Sequence, residues 1–440
     1  MARDPKQLNP RPAGRTPPAD RDRSVPLILL ARFLRAFADG FVSIVLARYL
    51  SSLGFSPLQI GAVVTGSLIG SAALTLGVGL GAGRRQLRHL LLAAAALMAA
   101  TGVSFALASA FGLVLAVAVV GTLNPTSGDV SVFLPTEQAY LAERTGATTR
   151  PRTYGRYTLA GALGAALGAL ASALPGPVSH MLHIPLLAAE RGGFLLYAAI
   201  ALGIGYVYQR LPKDDHSLAR RQHQPLRESR RTVVELAALF SLDSAGGGFA
   251  IQSLLVLWLH LRFGLGPTTL AVIFFAASIL AAASLLVAGP LAQRLGLVKT
   301  MVWTHLPADV MLALAAFAPS AWLAVGLLLG RAACSSMDVP ARQSLVMALV
   351  PPEERMAAAG VTNVPRALAT AATPVLAGAL LTISHAGWPL LIGGIMKITY
   401  DLTLWRLYRH VPERTGGRRK VDAPSRGPET GGPPLAEGHP

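Results

Sequence analysis

The sequence predicts an all-α polytopic membrane protein with twelve transmembrane helices in two pseudo-symmetric six-helix halves, and three observations carry that prediction. The first is composition: of 440 residues, 52% are hydrophobic and 14% are charged, where a soluble domain is about 25% charged. The second is a succession of apolar stretches, each close to the ~20 residues that a bilayer span requires. The third is the placing of Lys and Arg, which gather in alternate connections as the positive-inside bias demands. A soluble enzyme of this size does not fit these figures. The 44 glycines and 31 prolines punctuate apolar runs, a use that membrane helices tolerate. A single cysteine, Cys334, excludes an intramolecular disulfide framework and a cysteine-based zinc cage. The net charge of +17 is spread over loops and tails rather than gathered in the patch a nucleic-acid partner would need.

Residues 1–25 alternate arginine with proline and aspartate, without the apolar core of a secretory signal, and are expected to form a disordered cytoplasmic N-tail. Apolar runs bounded by charge or by Pro and Gly then predict spans at 26–49, 58–81, 89–109, 111–133, 155–175 and 193–210. Together they make an N-terminal half over 26–210. The polar stretch 211–232, rich in Arg, His and Gln, reads as a cytoplasmic linker. Further spans follow at 233–261, 268–291, 297–317, 320–347, 356–383 and 387–408, in a C-terminal half over 233–410. Residues 411–440 read as a second disordered cytoplasmic tail. Arg84, Arg85 and Arg88, then Arg144, Arg150 and Arg152, then Arg294, Lys299 and Arg355 all fall on the side of the linker and tails. The opposite side holds little beyond Arg48, Arg191 and Arg262, so both termini are expected in the cytoplasm, with the chain in the plasma or inner membrane.

The halves repeat. A shift of 210 residues lays Gly54 and Pro57 on Gly264 and Pro267, Gly79 and Arg84 on Gly289 and Arg294, Arg156 on Arg366, and Gly168 on Gly378. A shift of 209 lays Gly121 and Asp129-Val130 on Gly330 and Asp338-Val339. The segment from Gly289 through Arg294 and Gly296 to Lys299 resembles the G-x-x-x-D-R-x-G-x-x-[RK] loop of the major facilitator superfamily, with Gln293 at the acidic position. Its first-half counterpart keeps Gly79 and Arg84 and has Gly83 at that position. The resemblance implies a secondary transporter working by alternating access, a substrate site near the midplane between the halves, and a conformational role for these loop residues.

An ionisable residue at a helix centre costs about 2.5 to 3.5 kcal/mol on insertion scales, so each one inside a span is a candidate. On the first span Arg32, Arg35 and Asp39 share a face, with Arg35 and Asp39 as an i, i+4 pair. Asp39 reads as a proton or cation site, or else as half of a structural pair. Thr122, Thr126 and Asp129 share a face of the fourth span, and Arg331, Ser335 and Asp338 repeat that spacing on the tenth. On the seventh, Asp243 and Gln252 flank Gly246-Gly247-Gly248, which either permits close packing, the favoured reading, or interrupts the helix. Arg156 and Arg366 are expected to snorkel, and Lys397 to snorkel or stabilise locally. His180 and His183 lack a third metal ligand. No phosphate-cradling loop and no paired-His protease motif is present. The expectation is therefore a non-enzymatic transporter of small organic molecules, with proton-coupled efflux by antiport as first reading. An organic-anion facilitator and a non-transporting receptor or scaffold are the alternatives. The expected partners are a small-molecule substrate, the lipid bilayer and protons. The chain is expected to act as a monomer without cofactor or metal.

Overall fold

A computed structural model describes residues 24–81, 87–126, 133–145, 150–212, 229–351 and 354–409. The described residues are helical with short connections. In chain order the helices are α1 (Ser24–Ser52), α2 (Pro57–Gly81), α3 (Leu87–Leu107), α4 (Phe111–Val120), α5 (Phe133–Arg144), α6 (Arg150–Ala171), α7 (Pro175–Leu182) and α8 (Leu186–Gln209). They continue with α9 (Arg230–Phe249), α10 (Gln252–Phe263), α11 (Pro267–Leu295), α12 (Leu297–Ala315), α13 (Ala321–Cys334), α14 (Asp338–Leu349), α15 (Arg355–Ile383) and α16 (Trp388–Tyr408). Reading α4 with α5, α9 with α10 and α13 with α14, and setting aside the short α7, these helices make the twelve expected segments.

Eight of the twelve are long and apolar enough to cross a membrane by length and composition alone. The other four are α1, the α4–α5 pair, α12 and α16, and each carries an acidic side chain deep in the bundle: Asp39, Glu137, Asp309 and Asp401. Large apolar side chains on the perimeter, among them Leu202, Leu286 and Ile383, are left exposed, as lipid-facing positions require.

Close backbone contact at small residues sets the helix pairs, since lipid offers no hydrophobic drive for helix association. A Cβ on Gly40 of α1 would lie 2.2 Å from the Ala165 carbonyl oxygen of α6, and one on Gly168 would lie 2.0 Å from that of Phe37. Gly161 and Gly164 of α6 likewise lie against Arg32 and Phe33 of α1. The pairings recur along the chain: α1 with α6 and α9 with α15, α3 with α8 and α12 with α16, α2 with α15 and α11 with α6. At the end of the bundle where α1 terminates, a Cβ on Gly61 of α2 would meet the Pro374 oxygen of α15 at 2.4 Å, and one on Gly378 the Pro57 oxygen at 2.3 Å. The Leu58 amide donates to Thr382 Oγ1 at 3.1 Å and the Val375 amide to Thr65 Oγ1 at 3.1 Å, fastening α2 to α15 there.

Three predicted spans are broken. The fourth does not run to residue 133, because α4 ends at Val120 and Thr122 to Thr126 are non-helical. The seventh passes through its triple glycine as helix and breaks two residues later, at Ala250-Ile251. Its glycines pack: a Cβ on Gly246 would lie 2.7 Å from the Gly393 oxygen of α16, and one on Gly248 would lie 2.5 Å from the Thr370 oxygen of α15. The tenth breaks between Cys334 and Asp338. Between α11 and α12, Gly296 takes φ of 93°, a conformation that favours glycine. The tails, residues 213–228 of the linker, Arg84 and Asp129 lie outside the described residues.

Candidate transport cavity

A cavity of about 930 Å³, with a lining that mixes charged and polar side chains with apolar ones, lies among the broken segments and α2, α11, α12, α15 and α16. Of the residues singled out in the sequence, Thr126, Asp243, Gln252, Arg331, Ser335 and Asp338 line it. The break at 250–251 resolves the nine-residue spacing of Asp243 and Gln252, which an unbroken helix would set on opposite faces. Gln252 Nε2 also donates to Ser43 Oγ of α1 at 3.1 Å. Thr126 accepts no helical role; its amide and hydroxyl both donate to Asn124 Oδ1, at 3.0 and 2.7 Å. The shared-face reading of Thr122 and Thr126 on one helix is thereby corrected, since both lie beyond the end of α4.

Arg32, Arg35 and Asp39 do not line the cavity. Arg35 does approach Asp39, at 3.9 Å, but its close partner is Glu137 of α5, at 2.7 Å. Tyr157 and Tyr208 donate their hydroxyls to the same carboxylate, Tyr208 at 2.6 Å. The Arg35 guanidinium lies over the Phe133 ring, 5.0 Å from its centroid, and Arg32 lies over Tyr157 at 5.2 Å. Glu137 is fully buried, and three donors, Arg35, Tyr157 and Tyr208, fix it. The Glu137 carboxylate is thus satisfied as low dielectric requires, while Nε and Nη1 of both Arg32 and Arg35 are buried without a hydrogen-bond partner.

The cavity wall formed by the later helices holds a denser network. Asp243 accepts from Arg342 at 3.0 Å and from Lys397. Arg342 also pairs with Asp338 at 3.6 Å. Behind Lys397, His305 Nδ1 lies 2.9 Å from Asp309 and 3.3 Å from Asp401. Lys397 is buried and does not snorkel; it stabilises locally through Asp243. Arg366 lines the cavity, donating to Ser244 Oγ at 3.1 Å, instead of reaching past the helix end. Arg331 differs from its neighbours: it has no ion pair or hydrogen bond among the described residues, and its Nε is buried without a partner. The lining thus presents Arg331, Arg342, Arg366 and Lys397 against Asp243 and Asp338.

Sequence reading missed Glu137, His305, Asp309 and Asp401. His305 and Asp309, and likewise Lys397 and Asp401, stand four apart inside predicted spans, so the signal used for Asp39 was present in both. Glu137 had none, because a span ending at 133 places it in a loop. Of the loop residues, Gly289 has open space beside it, while Arg294 and Lys299 are exposed at the α11–α12 turn; Gly79 closes α2.

Residues 236–429 match the family model described as Major Facilitator Superfamily. The fold is similar over nearly the whole chain to the folds of two solved transporters. Over residues 236–429 the chain is similar to the Major Facilitator Superfamily. It resembles the nucleoside transporter NupG with a TM-score of 0.67 at 13% identity, over 88% of this chain and 100% of that one. It resembles a D-xylose-proton symporter with a TM-score of 0.71 at 16% identity, over 90% and 99% of the two chains. A curated relative, an uncharacterized membrane protein of Saccharomyces cerevisiae, YJR124C, is 24% identical over 421 residues, 87% of this chain and 93% of its own.

Proposed function

We propose that the chain moves a small, polar organic anion across the membrane by alternating access through the 930 Å³ cavity. The observation that carries this is Arg331, a cavity-lining cation without a carboxylate partner, in a lining with more cations than carboxylates. A polar wall of Ser, Thr, Asn and Gln suits a hydroxylated or carboxylated solute better than an apolar drug. Low dielectric strengthens each charge-assisted bond to it. The rocking motion would turn on the α11–α12 connection at Gly289, Arg294, Gly296 and Lys299 and on its counterpart at Gly79 and Arg84, between two six-helix halves joined by the linker. Both termini would be cytoplasmic in the plasma or inner membrane.

A second reading, proton-coupled efflux, is favoured by Asp39, a buried carboxylate whose ion-pair partner, Arg35, lies 3.9 Å away. The two are separated by counterflow in proteoliposomes, with dicarboxylates, sugar phosphates, neutral pentoses and cationic dyes offered in turn under imposed pH gradients. The first reading expects exchange of an anion and its loss in Arg331→Gln. Transport of dyes or neutral sugars alone, indifferent to Arg331→Gln and dependent on Asp39, would establish the second and sink the first.

A further inference from the structure

Two carboxylates from different helices, Asp309 of α12 and Asp401 of α16, converge on one imidazole nitrogen. His305 Nδ1 lies 2.9 Å from Asp309 Oδ2 and 3.3 Å from both oxygens of Asp401. Both carboxylates are 0% exposed. Neither Asp309 oxygen has a hydrogen bond of good geometry, and beyond His305 the nearest cation to either acid is Lys397 Nζ, 3.8 Å from Asp309 Oδ1. One N–H cannot serve two buried anions: an uncompensated carboxylate in such a place costs several kcal/mol, and two sharing a site hold a proton between them.

The other face of the imidazole is turned to the cavity. His305 Nε2 is 3.3 Å from Lys397 Nζ and 3.8 Å from Asp243 Oδ1, and His305, Lys397 and Asp243 all line the cavity. The charged and titratable groups facing this unit from the packed helices are Asp243 of α9, Arg331 of α13, Asp338 and Arg342 of α14, and Tyr400 of α16, whose ring stands edge-on to His305 at 6.1 Å. An ammonium beside both Asp309 and the imidazole is a poor neighbour for a metal ion, and a good one for a proton path.

We propose that Asp309 and Asp401 form a proton store outside the substrate cavity, filled and emptied through His305 and Lys397. Filling is a concerted shift. The Lys397 ammonium gives a proton to Nε2 as Nδ1 gives its proton to Asp401. His305 stays neutral in its other tautomer, and the Lys397 amine takes a proton from cavity water. One proton passes from the cavity to Asp401, and nothing else is consumed. Because Lys397 is also the partner of Asp243, the store is linked to the ion pair in the cavity wall. This goes beyond the organic-anion reading and does not depend on it.

The test is infrared difference spectroscopy of the purified full-length chain in liposomes on stepping from acidic to alkaline buffer, with no solute added. The expected result is a carbonyl stretch of a buried, protonated carboxyl that shifts in heavy water. It should vanish in Asp401→Asn, change in Asp309→Asn, move in frequency in Asp401→Glu, and respond at least tenfold more slowly in His305→Gln. The glutamate variant keeps the acid and secures the assignment should the asparagine variant fail to insert. A band untouched by all four substitutions, no such band in the native chain, or stoichiometric retention of manganese or zinc lost in His305→Gln would each overturn the proposal. Since no substrate enters the assay, failure here leaves the anion reading standing, and the reverse.

Discussion

Asp243 is held from opposite sides by Arg342 and Lys397, and all three are at least nine-tenths withdrawn from solvent. Removing one partner of such a pair strands the other. Asp243→Asn should therefore lower stability by about 3 to 5 kcal/mol, seen as early thermal unfolding in detergent, while Asp243→Asn combined with Lys397→Met should recover most of it. Recovery would fail if Arg342 were the controlling partner. Arg331→Gln strands nothing, so its melting should match the native chain while anion binding weakens about 10- to 100-fold, the span of one charge-assisted hydrogen bond; equilibrium binding of the transported anion reads this. Residue identity was legible where charge stood alone in an apolar run: Arg331, Asp243 and Asp338 reach the cavity as the spacing suggested. Partnership was not. Arg35 is four residues from Asp39, yet Glu137, a hundred residues on, wins it, because a helix neighbour fixed by backbone geometry sits farther away than a side chain delivered by packing.

At the scale of elements, apolar runs located most long helices to within a few residues, but the sixth expected start of 193 overshot α8 by seven, the fourth span ran thirteen residues past the end of α4, and α5 and α7 lay, but for their first residues, outside every expected span. Two of the breaks were not legible. Ala250-Ile251 and Ser335 to Met337 are ordinary sequence whose helical bonds give way where the segments line the cavity, whereas Thr122 to Thr126 contains Asn124-Pro125, a turn signal that a span drawn to 133 passed over. Glycine spacing was the more dependable guide, since it reports where backbones touch. Gly168→Val, with a Cβ 2.0 Å from the Phe37 oxygen, should separate α1 from α6 and sharply reduce folded yield. Gly289→Ala has open space and should leave yield and melting unchanged. Size-exclusion profiles of the two variants decide this, and equal behaviour would discount the packing argument.

Across the whole molecule the two ends differ. One is fastened by Gly61, Gly378 and the Leu58–Thr382 and Val375–Thr65 bonds, while cavity-lining Gln343, Gly360 and Asn363 lie toward the end where α15 begins. Gln343→Cys, in a chain whose own Cys334 is replaced by Ala, should react with an impermeant thiol reagent from that end, and Gly61→Leu should suppress the reaction by prying α2 from α15 and favouring the opposite opening. Labelling unaffected by Gly61→Leu would mean that the fastening does not set which end is open. The lone guanidinium of Arg331 has an electrical consequence as well. An empty carrier swings with that positive charge uncompensated, whereas one loaded with a monoanion swings closer to neutral. Membrane voltage, at about 2.3 kcal/mol per charge per 100 mV for a full crossing, should then govern the return stroke of the cycle and leave the loaded stroke nearly indifferent.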